Sequence, residues 1–222
     1  MKRFAVRVVT VLALASLAAG TAAASRHANG TRIYYRIGEP VFGRSYADWS
    51  IAWARFEWAS PASQSPLLHP LPCRHLVVGH VFFLPGPGKG QTIVCRVPAG
   101  DAVYVPTASG FEIHTTAKDT KQSLRRQAVS TFAQTKVVNV TVDGKAIDAR
   151  QFRQTTPFFS VDLSSGNLMQ VPAGAHRAIQ SGYNFILKPL AAGRHTVAMH
   201  IRIASGGKTL YEARTRFMLH VS

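Results

Sequence analysis

The stretch that decides the fold is His195–Val221, HTVAMHIRIASGGKTLYEARTRFMLHV. Before the glycines, Val197, Met199, Ile201 and Ile203 alternate with Thr196, Ala198, His200 and Arg202. After them, Tyr211, Ala213, Thr215, Phe217, Leu219 and Val221 alternate with Glu212, Arg214, Arg216 and His220. A period of two is that of a half-buried strand, so the segment predicts a hairpin with one apolar and one polar face. Partners across a ladder point the same way, so both apolar sets share a face only if the connection holds an odd number of residues. Ser205-Gly206-Gly207 meets that condition as a three-residue loop, with a glycine for the left-handed position. The opposite face then carries His200, Arg202, Glu212, Arg214, Arg216 and His220, a candidate basic binding surface. The plainer reading is a solvated sheet face with Glu212 near His200.

Upstream, β-branched or aromatic runs recur: GHVFFLP, TIVCRVP, DAVYVP, KVVNVTV, FFSVDL and YNFILK, each bounded by Gly, Pro, Asp or Asn. Two segments have a helical period instead. In SYADWSIAWARFEWASP, Ser45–Pro61, Ser45 is a good N-cap with Asp48 as the acidic partner of a capping box, and Pro61 stops the run. Tyr46, Trp49, Ala52, Trp53 and Phe56 fall within about 120° of one another, a burial stripe. Trp58 lies off that stripe and is the one tryptophan left as a contact residue. The second helix is expected over Asp119–Gln134, with Leu124, Ala128 and Phe132 inward and Lys121, Arg125 and Arg126 solvated. Many short strands with two helices predict a mainly β protein, an antiparallel β-sandwich with about two packed helices, and favour it over parallel-sheet folds.

The chain begins with a basic head (Lys2, Arg3, Arg7), an apolar run Val8–Ala19 and small residues Thr21-Ala22-Ala23-Ala24. This is the pattern of a signal peptide over residues 1–24, cleaved near Ala24, with one domain over 25–222 in the periplasm or secreted. The run is too short for a membrane span of about twenty residues, no second long apolar stretch follows, and a soluble mature chain is expected. Without Lys2, Arg3 and Arg7, the 26 basic residues fall to 23 against 10 acidic ones, a net charge of 23 − 10 = +13. Such a chain is drawn to anionic surfaces, whether lipid, envelope polymer or, non-specifically, nucleic acid. Specific nucleic-acid recognition is not expected, because the arginines are scattered and the aromatics sit in core stripes. The two cysteines, Cys73 and Cys95, read as a disulfide in an oxidising compartment. The competing reading is a metal site from His69, Cys73, His75 and His80, but these spacings lack the close ligand pairs of zinc sites.

Several motifs occur in a fixed order: SYADWSIAW, Cys73, GHVFFLPG, CRVPAGDAVYVP, VTVDGKAI and SGYNFILKPLAAGRHTV. Together they resemble a group of uncharacterised exported bacterial proteins. Those run helix, Cys, a G-x-V-W-F-L-x-G strand, Cys with a P-A-G-K/D turn, V-D-G-K, and D-G-Y-W-x-x-L-K-P-L-x-x-G-x-H-x-I. The resemblance spans roughly Ser45 to the C-terminus and supports pairing of Cys73 with Cys95. Ser181 stands where the pattern has aspartate and Asn184 where it has tryptophan, so a role resting on that carboxylate or ring is in doubt in this chain. The segment from Leu187 to His195 looks structural.

No H-E-x-x-H, G-x-S-x-G, phosphate-binding loop or dinucleotide fingerprint occurs, and no cofactor is expected. Glu112 and His114 share a face of a short strand and are the weak candidates for an acid–base pair. His195 and His200, five apart, fall on opposite faces of a strand and do not form a metal pair. The leading expectation is an exported, non-enzymatic module that binds an anionic or carbohydrate envelope component or another exported protein. The alternative is an exported hydrolase or metal-dependent enzyme with a pocket near the tryptophan helix.

Overall fold

Short β-branched and aromatic runs become strands in the computed structural model, which describes residues 32–222 apart from Lys89. The expected signal peptide lies outside the described residues. In chain order the elements are α1 (Tyr46–Trp58), β1 (Leu76–Val78), β2 (Val81–Phe83), β3 (Gln91–Val97), β4 (Ala102–Val105), β5 (Ser109–Ile113) and α2 (Lys121–Ala133). They continue with β6 (Thr135–Val142), β7 (Lys145–Ile147), β8 (Gln154–Thr155), β9 (Phe159–Leu163), β10 (Gly174–Gly182), β11 (Phe185–Leu187), β12 (Gly193–Ser205) and β13 (Lys208–Val221). The protein is thus mainly β with two α-helices. No described helix is long and apolar enough to cross a membrane.

Three sheets result. One runs β1-β2-β4-β11, a second groups β5, β8 and β9 around β10, and a five-stranded sheet runs β3-β13-β12-β6-β7. Most pairings are antiparallel, but β2–β4 and β3–β13 are parallel. The chain causes this by leaving the first sheet after β2, crossing to the five-stranded sheet as β3, and returning as β4. Cys73 and Cys95 are bonded, with Cα atoms 5.2 Å apart, which ties the segment before β1 to β3.

The last hairpin has its expected faces. Val197, Met199, Ile201, Ala213, Phe217, Leu219 and Val221 are buried on one side, while Arg202, Glu212, Arg214 and Arg216 are exposed on the other. The loop differs from the three-residue expectation. Ser205 pairs with Lys208, so only Gly206 and Gly207 turn, with φ of 55° and 77°. Two successive left-handed residues make the tight turn that matches strand twist. The odd count is restored one step away by a bulge: Ile203 pairs with Tyr211 but Ala204 with Thr209, leaving Leu210 extra.

Helix α1 carries the expected capping box: Ser45 Oγ accepts from Asp48 N at 3.2 Å, and Ser45 N donates to Asp48 Oδ2 at 3.0 Å. Tyr46, Trp49 and Trp53 are buried, each with its polar tip satisfied. Tyr46 donates to the Tyr35 carbonyl, Trp49 Nε1 to that of Val41 and Trp53 Nε1 to that of Leu84. The stripe is wider than the sequence suggested. Ala52 and Phe56 are only half-buried, whereas Ser50, Ala54 and Glu57 are buried, because α1 is wedged between two apolar clusters. In the second cluster Trp58 stacks on Phe111, ring centroids 4.9 Å apart and planes 4° from parallel. It is therefore a packed, half-buried ring, where the sequence left it open. Helix α2 buries Leu124, Ala128 and Phe132 as expected and is capped by Thr120.

Candidate functional site: the outer face of the five-stranded sheet

Register places the polar residues of the hairpin in rows with their neighbours. Arg216 lies between Thr92 of β3 and Ala198 of β12, and Ala198 lies beside Thr141 of β6. In the next row His200 sits between Arg214 and Asn139. Ala198, with its single methyl, is flanked by longer side chains, so the face sinks there into a depression of ≈ 480 Å³. Its walls include Thr92, Asn139, Thr141, His200, Arg214 and Arg216. Hydroxyl and amide groups thus stand beside guanidinium groups, a donor-rich surface suited to oxyanions.

Glu212 is the acid of this face. It accepts from His200 Nε2 at 2.7 Å and lies 3.6 Å from an Arg214 guanidinium nitrogen. The His200 hydrogen bond comes first among the causes that hold its carboxyl below the ordinary value. Among the described residues, no carboxylate lies within ion-pair distance of Arg96, Arg194, Arg202 or Arg216. Arg96 and Arg194 flank His220 on the same face, through pairings the sequence alone does not disclose.

No family model matches the chain, and no curated protein matches it in sequence. Among solved structures, it is similar to the cysteine protease inhibitor EhICP2 from Entamoeba histolytica, at 12% identity and a TM-score of 0.25 over 64% of this chain and 95% of that one. It is also similar to amebosin, at 8% identity and a TM-score of 0.20 over 65% of this chain and 100% of that one. Likenesses at these scores carry no argument.

The remaining candidates are dispersed. Glu112 accepts from Thr131 Oγ1 at 3.3 Å, and burial comes first among the causes that raise its carboxyl above the ordinary range. His114 is exposed at the end of β5, and the two make no hydrogen bond to each other. Cys73 is bonded to Cys95, His75 stacks on Phe82 and His80 faces Asp101 at 3.4 Å. Among the described residues, no three His, Cys, Asp or Glu side chains converge as a metal set. Ser181 bonds Thr155 and Asn184 accepts from Thr107 N, both buried. His195 bridges Asp143 Oδ2 at 2.7 Å and the Ala191 carbonyl at 2.9 Å, which joins the VDGK turn to the start of β12. Burial alone would lower its imidazole value, but those two acceptors outweigh burial and raise it.

Sequence reasoning also missed a polar residue away from this face. Glu57, in the last turn of α1, is fully buried, with Oε2 3.4 Å from Gly86 N and Oε1 without a partner. Burial pushes its carboxyl up to about 8. At 100° per residue Glu57 lies about 20° from Tyr46, at the edge of the apolar stripe and on the side of α1 where Ser50 and Ala54 are also buried.

Proposed function

We propose that the protein is an exported, non-enzymatic binding module whose five-stranded sheet holds an acidic envelope carbohydrate on its outer face. The observation that carries this reading is the Ala198-floored depression walled by Arg214, Arg216 and His200, with Arg96, Arg194 and Arg202 on the same face unpaired by any described carboxylate. Carboxylate or sulfate groups on a sugar chain accept forked hydrogen bonds from guanidinium, and sugar hydroxyls fit Thr92, Asn139 and Thr141. The disulfide supports an oxidising compartment, in line with the signal peptide expected over residues 1–24, and the ordered motifs support kinship with the exported bacterial group. The hydrolase reading lacks its expected acid–base pair, since Glu112 bonds Thr131 and makes no hydrogen bond to His114.

Retention on heparin at low salt tests the proposal. Arg214→Ser with Arg216→Ser should elute at clearly lower salt, whereas Arg125→Ser with Arg126→Ser on exposed α2 should elute close to wild type. Equal losses from the two pairs would reduce binding to net charge and reject a defined face.

A further inference from the structure

On the opposite face of β12 and β13 from the basic depression, the C-terminal turn of α1 covers a separate pocket of ≈ 220 Å³. Trp53, Trp58, Tyr211, Ile203, Gly86 and Glu57 are among its lining residues. Trp58, Ile203 and Tyr211 are half-buried and form a rim, whereas Glu57 is fully buried. The walls are otherwise prolines, small residues and aliphatics, with no basic side chain among the described lining residues. The volume lies between a cavity that takes benzene, about 150 Å³, and drug-sized pockets of about 300 Å³ and more.

Glu57 is poorly served by its own protein. Its Oε2 has one long contact with Gly86 N, Oε1 has none, and the neighbouring Tyr211 hydroxyl donates to the Pro87 carbonyl instead. A Cβ on Gly86 would stand 2.7 Å from Glu57 Oε1 and 2.9 Å from Leu67, so the glycine leaves the carboxyl its room. An apolar or amide residue would stabilise this position better, and an unsatisfied buried carboxyl calls for a partner from outside. Three aromatic rings around a lone acid match the requirements of an organic cation, attracted by ring faces and neutralised by the carboxylate.

We propose that this pocket binds a small primary ammonium ligand with an apolar body, its nitrogen hydrogen-bonded to Glu57 and its body against Trp53, Trp58 and Tyr211. Tyr211 is the titratable group facing Glu57 among the described lining residues, and burial comes first among the causes that hold its hydroxyl above the ordinary value. Glu57, held protonated up to about pH 8, must release its proton as the cation enters. Affinity for a permanently protonated amine therefore rises with pH and levels off once Glu57 is ionised.

Calorimetric titration of the folded protein with 2-phenylethylamine, 2-phenylethanol and phenylacetate, at pH 6, 7 and 8, tests this. The amine should bind, about tenfold more tightly at pH 7 than at pH 6, with proton release visible in buffers of different ionisation enthalpy. The alcohol and the acid should bind at least tenfold more weakly at pH 8. Glu57→Gln should lose at least tenfold in amine affinity at pH 8, and the pH dependence of wild type tests the same point without a variant. Absence of amine binding at millimolar concentration, equal binding of the alcohol or acid, or an affinity independent of pH would each overturn the proposal. None of these outcomes bears on heparin retention, which depends on the other face.

Discussion

Glu57 and Trp58 show how much one helix face decides. Placing a carboxyl on the buried side of a tryptophan-bearing helix raises its proton affinity, because burial penalises the charged form. The folded value of about 8 lies above the unfolded value of 4.5, so between these the folded state keeps a proton that the unfolded state has lost. Stability from this group is therefore greatest below the unfolded value, falls as pH rises, and levels off above the folded value. Glu57→Gln removes the effect, so its melting temperature should exceed wild type by a margin that grows from pH 5 to pH 8, corresponding to roughly a few kcal/mol at the upper end. A margin constant with pH would contradict the raised value. Trp53, buried and bonded to the Leu84 carbonyl, should cost about 3–5 kcal/mol on change to alanine. Trp58→Ala should cost less, about 2 kcal/mol, because its ring is half-exposed on one side and stacked on Phe111 on the other. Denaturant unfolding of both variants checks the order. Sequence periodicity picked out Tyr46, Trp49 and Trp53 correctly. Glu57 escapes a periodicity that registers apolar residues only, and Trp58 escapes it because a second apolar cluster across α1 has no signature in α1 itself.

At the scale of elements, strands were legible either by alternation or as short unbroken apolar runs. The final hairpin and TIVCRVP carry their burial in their alternation, and DAVYVP, buried throughout, in its continuous apolar run. Strand β10, GAHRAIQSG, does not: its buried part includes Ser181, whose hydroxyl bonds that of Thr155, and Gln180, whose backbone N–H donates to Thr156 Oγ1 while its side-chain amide has no partner among the described residues. The parallel pairings were also invisible, since they depend on β3 leaving one sheet for another. The parity argument for the last hairpin was sound about faces but not about the turn, because a bulge at Leu210 restores the odd count as well as a longer loop does. The two-residue turn makes a specific demand. Gly207→Ala, at φ 77°, should destabilise by about 1 kcal/mol or more, whereas Gly207→Asn should cost less because asparagine tolerates the left-handed region. Equal melting of the two variants would argue against a turn left-handed at both positions.

The whole molecule separates two kinds of surface across one sheet. The inner side of β12 and β13 packs against the core and walls the Glu57 pocket, and the outer side gathers arginines from three segments of chain. Sequence reading found the hairpin's share of the outer face: His200, Arg202, Arg214, Arg216 and His220. It missed Thr92, Asn139 and Thr141, which arrive through β3 and β6 and turn a basic stripe into a walled depression, and Arg96, which extends the basic face beside His220. Net charge alone would attract polyanions to any basic patch, α2 included. The distinguishing property is therefore position, and hydrogen–deuterium exchange with and without a sulfated oligosaccharide at moderate salt reads it directly. The account predicts new protection in β3, β12 and β13 around Thr92, Ala198 and Arg214–Arg216, with α2 unchanged; protection centred on α2, or spread evenly over all basic segments, would contradict it.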